Sequence, residues 1–551
     1  MLSRHRPNPS DVVRRRLDPD PNCPVCGDAG LVICDHRHRD IQTLEGHFHL
    51  VCVLSHCTDP RCPTHGHTLG PTSELTLAPP RLGVGWDVFC RIGQRRLAGD
   101  WRVAQIREEL HDGYRVELSA DSVERHIARY KAIVAARERD PAVLARAYAG
   151  RSGVVLSIDG LQPEKGHETL YVVREVTLKR VWFAVPLLSS AAPEVARLLV
   201  QARDWAARLG LPVLAWVSDK QDAFLTGIAE AFPGVPHRYC ANHFLRDAAR
   251  PALELDSHAK VAMRRKVRGL RDIERAIIDD LCADPPAAPT TAPSVPAMPE
   301  PSSARGVVLD CCAAVRGILN DDQGGPLHPP GVRMADALVQ VRQSLQRSIG
   351  LHRPGAEHRL LERLDGCIAR GLHAVQSDLA LVRGHAQTLA AIDACLDPGA
   401  GTGHERKARF DTLAAELKCD ADPVRLHMGR VMASFAPGLF AGADILDLPV
   451  DNLDLERAFR RPKHHRRRIH GRAHAGSGLV QEGPTLLPAL DAHQRHPAAF
   501  CAEDLLPWHK ARPPRCQREA TRRRSVMRRA RSTKKRPFLL ADLEQRYRQA
   551  A

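Results

Sequence analysis

The chain has 551 residues, 43% hydrophobic and 26% charged, which excludes a wholly disordered chain and leaves room for several globular domains. Its formal net charge of +16 favours a polyanionic partner, of which nucleic acid is the common one. The basic N-terminus lacks an apolar core and no run of about 18 apolar residues occurs, so neither a leader nor a membrane span is expected. Sixteen cysteines without a leader then point to a reducing compartment and to metal ligation.

Residues 18–70 carry the first motif. Cys23 and Cys26 form a C-x2-C knuckle, and Cys57 and Cys62 a C-x4-C pair beyond a short β-rich stretch. Two such pairs supply the four thiolates that tetrahedral Zn²⁺ takes in a zinc ribbon. Cys34, Cys52 and His65 lie close enough in sequence for one of them to replace Cys62.

Residues 82–145 read as helices. Val103, Ile106 and Leu110 share one face, Asp112-Gly113 ends that helix, and Ser119 stands where the N-cap of the next belongs. The pair is a helix-turn-helix candidate, with Arg125, His126 and Arg129 facing outward and the two arginines available to DNA bases. An ordinary helical hairpin has the same pattern.

Residues 150–260 alternate strands with helices. The runs 154–160, 169–176 and 180–188 read as strands, 192–210 as a helix and 212–220 as another strand. This is the order of an RNase H-like core. Asp159 ends the first strand and Asp219 the fourth, so both acids fall at neighbouring strand ends, where phosphoryl transfer needs carboxylates to hold Mg²⁺ or Mn²⁺. Residues 261–445 read as a helical insertion that contains a linker, 284–301, with seven prolines. Within it, Cys311-Cys312 falls on an apolar helical pattern and reads as core. Residues 446–475 return to the core. From Arg457 to Arg472 eight Lys/Arg and no acid follow Glu456. On a helix Arg460, Lys463 and Arg467 would share one side, spaced for phosphates, unless the run is a solvated face. Residues 476–551 form a basic tail, disordered or DNA-tracking, with thirteen Lys/Arg against one Glu between Lys510 and Arg536.

SIDG (157–160), VSDKQDAF (217–224), RYCANHF (238–244) and DNLDLERAFRRPKHHRRRIHGR (451–472) together resemble the DDE transposases of bacterial insertion sequences and, more distantly, Mutator-like transposases. The resemblance covers most of residues 20–475. It implies that Asp159, Asp219 and Glu456 are the metal-binding catalytic acids, with Asp222, Asp451 and Asp454 as substitutes. Cys240 and His243 would form the C-x2-H motif after the next strand, mainly a structural pair. Pro462 departs from the family pattern and predicts a break in the helix after Glu456. The implied activity is metal-dependent cleavage at the ends of a mobile element, followed by attack of the freed 3′-hydroxyl on target DNA. The implied setting is bacterial cytoplasm at the nucleoid, with double-stranded DNA and further copies of the chain as partners. The alternatives are a catalytically dead zinc/helix-turn-helix DNA-binding regulator and a metal-dependent DNA nuclease.

Overall fold

The computed structural model describes residues 12–162, 167–267, 269–283, 303–351, 355–471 and 476–550. The proline-rich run 284–301 lies outside them. The chain is mixed α/β and forms two compact units, Met1–His237 with Asn452–Ala551, and Arg238–Asp451.

In the first unit Val12–Leu17 (β1), Leu31–Gln42 (β2) and His47–Cys57 (β3) make a sheet of order β1-β3-β2, with β2 antiparallel and β1 parallel to β3. The central strand is buried from Leu50 to Leu54, and its Leu50, Cys52 and Leu54 meet Leu17, Ile41 and Ala78. Thr72–Leu77 (α1) closes this cluster and buries Glu74 against Arg37 and Arg39.

Four helices follow: Trp86–Leu97 (α2), Val103–Tyr114 (α3), Ala120–Glu138 (α4) and Pro141–Ala147 (α5). Ser119 is the N-cap of α4 and accepts a hydrogen bond from the Ser122 amide at 3.2 Å, as expected. The preceding helix runs past Asp112-Gly113 and ends at Arg115, which takes the left-handed conformation at φ 55°. Phe89, Ile92, Ile106, Leu110, Val123, Ile127 and Tyr130 form its core.

The second sheet contains Val154–Leu161 (β4), Thr169–Glu175 (β5) and Arg180–Leu187 (β6). After Ala192–Leu209 (α6) come Val213–Ser218 (β7), Asp222–Ala231 (α7) and the short His237–Tyr239 (β8). The order is β6-β5-β4-β7-β8, with β4–β5 and β5–β6 antiparallel and β4–β7 parallel. Both faces are apolar and both are covered. Tyr171 and Val173 turn to Leu198, Leu199 and Phe224 of α6 and α7, while Leu170 and Val172 turn to the opposite face.

The described residues of the second unit are helical beyond β8: Ala241–Lys266 (α8), Leu270–Ala283 (α9), Ala304–Leu319 (α10), Pro330–Ile349 (α11), Ala356–His373 (α12), Gln376–Leu396 (α13), Gly403–Lys418 (α14) and Pro423–Leu439 (α15). Their apolar positions at three- and four-residue spacing build two cores, one around Phe244, Phe410 and Phe435, the other around Met263, Leu338 and Leu364. Cys312 is core, as expected. The unit begins at Arg238, not at 261, because α8 runs unbroken from Ala241 through Pro251 to Lys266.

The chain re-enters the first unit with Leu453–Ala458 (α16) and Arg460–His470 (α17), then Gly476–Arg495 (α18), Ala502–Leu505 (α19), Arg515–Arg531 (α20) and Arg536–Ala550 (α21). The tail, expected to be disordered or DNA-tracking, is mostly helical among its described residues, and α18 is largely buried. Leu479, Leu486 and Leu490 enter the core of α2–α4, and Val480 and Leu487 cover β5 and β6. Pro484 and Pro488 interrupt the helical pattern in sequence and conceal this element. The fit is close: a Cβ at Gly483 would stand 2.5 Å from Leu170 Cδ2. Polar contacts fix α18 as well. Lys131 pairs with Glu482, Tyr130 Oη lies 3.1 Å from His493 Nε2, and the Val181 amide donates to Asp491 at 3.0 Å.

Candidate active site and metal centre

The loop between β1 and β2 holds Cys23 and Cys26, β3 ends at Cys57, and Cys62 follows in the next turn. The four sulfurs lie within 4.8 Å of one another, with Cys23–Cys62 at 3.8 Å and Cys26–Cys57 at 3.6 Å. Four thiolates about 2.3 Å from one tetrahedral ion stand about 3.8 Å apart, whereas a disulfide needs about 2 Å. The cluster could therefore hold a metal ion such as zinc. The Cys26 and Val25 amides point at the Cys23 sulfur and hold its thiol down to about 6, while burial pushes Cys57 up to about 12. Cys62, rather than one of its alternatives, completes the cluster. Cys34 is exposed, Cys52 lies in the sheet core, and His65 stands outside the cluster.

At the sheet, Ser157 on β4 is paired with Val217 on β7, and Asp159 and Asp219 each stand two residues beyond that pair. Parallel neighbours lie about 4.8 Å apart, so the register alone sets the two carboxyls side by side. The third acid arrives by packing. The Asn452 side chain donates to the Ile158 carbonyl at 3.2 Å, and Leu455 is buried with Leu170, Val172 and Val181. These contacts seat α16 beside β4, near enough for the charge of Glu456 to be felt at Asp159. Burial raises the Asp159 carboxyl to about 7, Asp219 and Glu456 push it the same way, and the Gly160 amide and Lys463 pull it down. Its Oδ1 accepts the Gly160 amide at 2.7 Å. Of the substitutes, Asp454 instead pairs with Arg174 at 3.1 Å and Lys179 at 3.5 Å, and Asp222 is exposed at the start of α7. Asp451 is the last residue of the second unit. Cys240 is the buried N-cap of α8 and His243 lies in its first turn.

The helix break expected at Pro462 falls earlier, at Phe459. Pro462 then sits in the first turn of α17, where an amide has no helical partner to lose. One face of α17 is fastened to the loop after α2. Arg461 donates to both Asp100 oxygens at 2.8 and 2.7 Å, and His465 Nδ1 lies 2.6 Å from Asp100. Against its burial, these partners hold Asp100 down to about 2. The opposite face carries exposed Arg460 and Arg467 and half-buried Lys463, whose charge is felt at Asp159.

Of the three α4 residues expected to face outward, two do not stand free. His126 is buried, packs edge-on against Phe89, and burial lowers it to about 4. Arg129 gives Nη1 to the Pro80 carbonyl at 3.1 Å and Nη2 to the His509 carbonyl at 3.2 Å. Arg125 is exposed on the same helix. Tyr171 was not foreseen. It is buried opposite Gly160 on β5, its hydroxyl bonded to Ser190 and Gln221, and the charges of Asp219 and Asp159 raise it further after burial. Nothing in the sequence marks one strand aromatic as a neighbour of two acids.

Neither the protein-family models nor the curated proteins compared with this chain match it.

Proposed function

We propose that the chain is a DDE-type DNA transposase whose five-stranded sheet is an RNase H-like core, with the four-cysteine segment a zinc ribbon and α3–α4 a helix-turn-helix. The observation that carries this is that Asp159 and Asp219 stand at matching positions of two parallel strands, and that the charges of Asp219 and of Glu456, on the helix seated beside them, are both felt at Asp159. The strand order β6-β5-β4-β7-β8 with one parallel pair at β4–β7 supports the core assignment.

Carboxylates are hard oxygen donors, which suit Mg²⁺ or Mn²⁺. Asp159, Asp219 and Glu456 would hold such ions, whose chemistry when bound is to activate an attacking oxygen and stabilise a leaving one. Around them Lys463 faces the acids and balances phosphate charge, and Asp100 holds α17 in place through Arg461 and His465. Water would open a phosphodiester at an element end, freeing a 3′-hydroxyl that attacks a target phosphodiester and displaces that strand's 3′-oxygen; no protein–DNA covalent bond forms. Incubating the chain with Mg²⁺ or Mn²⁺ and duplexes taken from the flanks of its own gene should give nicked ends and joined products. Binding without either product would leave only a DNA-binding regulator, and nicking without joining a nuclease.

Arg460, Lys463 and Arg467 contact phosphates on this reading. Replacing all three with Ala should weaken specific and random DNA about equally. It should also lower the slope of log affinity against log salt by roughly 0.9 for each lost contact. Arg125→Ala should weaken the specific sequence more than random DNA. An unchanged salt slope in the triple variant would make that face of α17 a solvated one.

A further inference from the structure

The helix α20 reads RCQREATRRRSVMRRAR. At about 100° per residue, Arg515, Arg518, Arg522 and Arg529 fall within about 60° of one another on its wheel. Gln517, Ala520 and Arg524, its buried residues, fall on the opposite side. The buried side is held. It lies against α18 and β6, and Arg523 donates to the buried Glu168 at 2.9 Å, just before β5. The basic side is therefore fixed in direction.

Acid compensates it only in part, and the charges of Arg515, Arg523 and Arg522 are all felt at Glu519. Arg515 pairs with Glu519 and Arg529 with Asp542, but among the described residues no carboxylate lies within 4.0 Å of Arg518, Arg522, Arg528 or Arg531. Arg518 and Arg522 stand one turn apart and repel each other. A protein of this length has ample surface on which to scatter such charges; here they are aligned on an anchored helix.

The stripe is also continuous with other cations. Arg512 lies at most about 10 Å of chain before Arg515. It also sits close to Arg129: after burial, the charges of Arg512, Arg39 and Arg81 pull the Arg129 guanidinium below its ordinary range. Exposed Arg512 thus links the neighbourhood of Arg129, itself held by two carbonyls, to the stripe on α20, and α20 lies on β6, a strand about 10 Å from β4 in the sheet.

We infer that the exposed face of α20 binds the phosphate backbone of duplex DNA and continues the path of a duplex lying on α4. From Arg515 to Arg529 the stripe spans about 21 Å, the axial rise of about six base pairs. The helix α20 itself carries arginines and no aromatic side chain, so its face tracks backbone and reads no base. This rests on the reading of the chain as a DNA-acting enzyme.

The test uses the full chain without Mg²⁺ or Mn²⁺ and a short random-sequence duplex, with affinity followed by anisotropy across a salt series. Replacing Arg515, Arg518 and Arg522 together by Ala should reduce the salt slope by up to about 2.7, at about 0.9 per phosphate contact, and replacing them by Lys should preserve it. On the unaltered chain, the same duplex should shield Arg518 and Arg522 from an arginine-specific dicarbonyl reagent, mapped by mass spectrometry. That second measurement does not depend on any variant folding. An unchanged slope, absence of shielding, or equal shielding by anionic vesicles would overturn the proposal. Because no catalytic ion is present, these outcomes bear on α20 alone. A chain that showed the expected slopes yet performed no strand transfer would count against the catalytic reading alone.

Discussion

Asp159→Asn should abolish Mg²⁺-dependent nicking and joining, by at least about a thousandfold or roughly 4 kcal/mol of transition-state stabilisation, while DNA affinity changes little. Asp219→Asn and Glu456→Gln should do the same, since the three carboxyls share one field. A second signature separates this from damage to the fold. The folded Asp159 carboxyl titrates near 7, above its unfolded value of about 3.9. Its contribution to stability is therefore intact in acid and is lost as pH rises through 7, to an upper bound of roughly 4 kcal/mol by pH 8. Asn has no charge to bury. Without Mg²⁺ or Mn²⁺, the Asn variant should melt above the parent at pH 8, and the two should converge towards pH 4. Near-normal strand transfer by any one variant would remove that residue from the site, and activity in all three would end the assignment.

The other large effect belongs to the four-cysteine cluster. The sheet of β1–β3 covers a small apolar cluster, Leu17, Ile41, Leu50, Cys52, Leu54 and Ala78. So few groups do not hold a β-sheet by burial alone. Structural zinc contributes on the order of 10 kcal/mol or more in sites of this kind. The purified chain should contain one zinc, and Cys57→Ser or a strong chelator should release it. Protease should then cut between residues 12 and 78 while β4–β7 stay protected. A chain that arrives without zinc and is indifferent to chelator would leave the four thiols without a metal role.

What the sequence disclosed and what it withheld divide by range. Ser119, the strands at Val154–Leu161 and Val213–Ser218, and the two cysteine pairs depend on local pattern, and each lies where the pattern sets it. The field shared by Asp159, Asp219 and Glu456 joins residues far apart in the chain, and a resemblance supplied what periodicity could not. The bond between His465 and Asp100 spans 365 residues, and neither partner has a local signature. Arg129 reads as an outward cation until the carbonyls of Pro80 and His509 are placed beside it. Two prolines hid α18, because helix propensity counts them against an element that burial stabilises.

That hidden helix also sets a schedule. Gly476, where α18 starts, leaves the ribosome long after Leu187, where β6 ends. At ordinary rates of synthesis the interval is about 15 to 60 seconds. Throughout it Leu170, Val172, Val181 and Ala184 have no α18 to cover them, and neither has the inner side of α4. A product cut short by a frameshift after residue 475 would keep every proposed catalytic acid and still expose that apolar face. Loss of the last 76 residues should thus yield aggregates rather than a weakened enzyme.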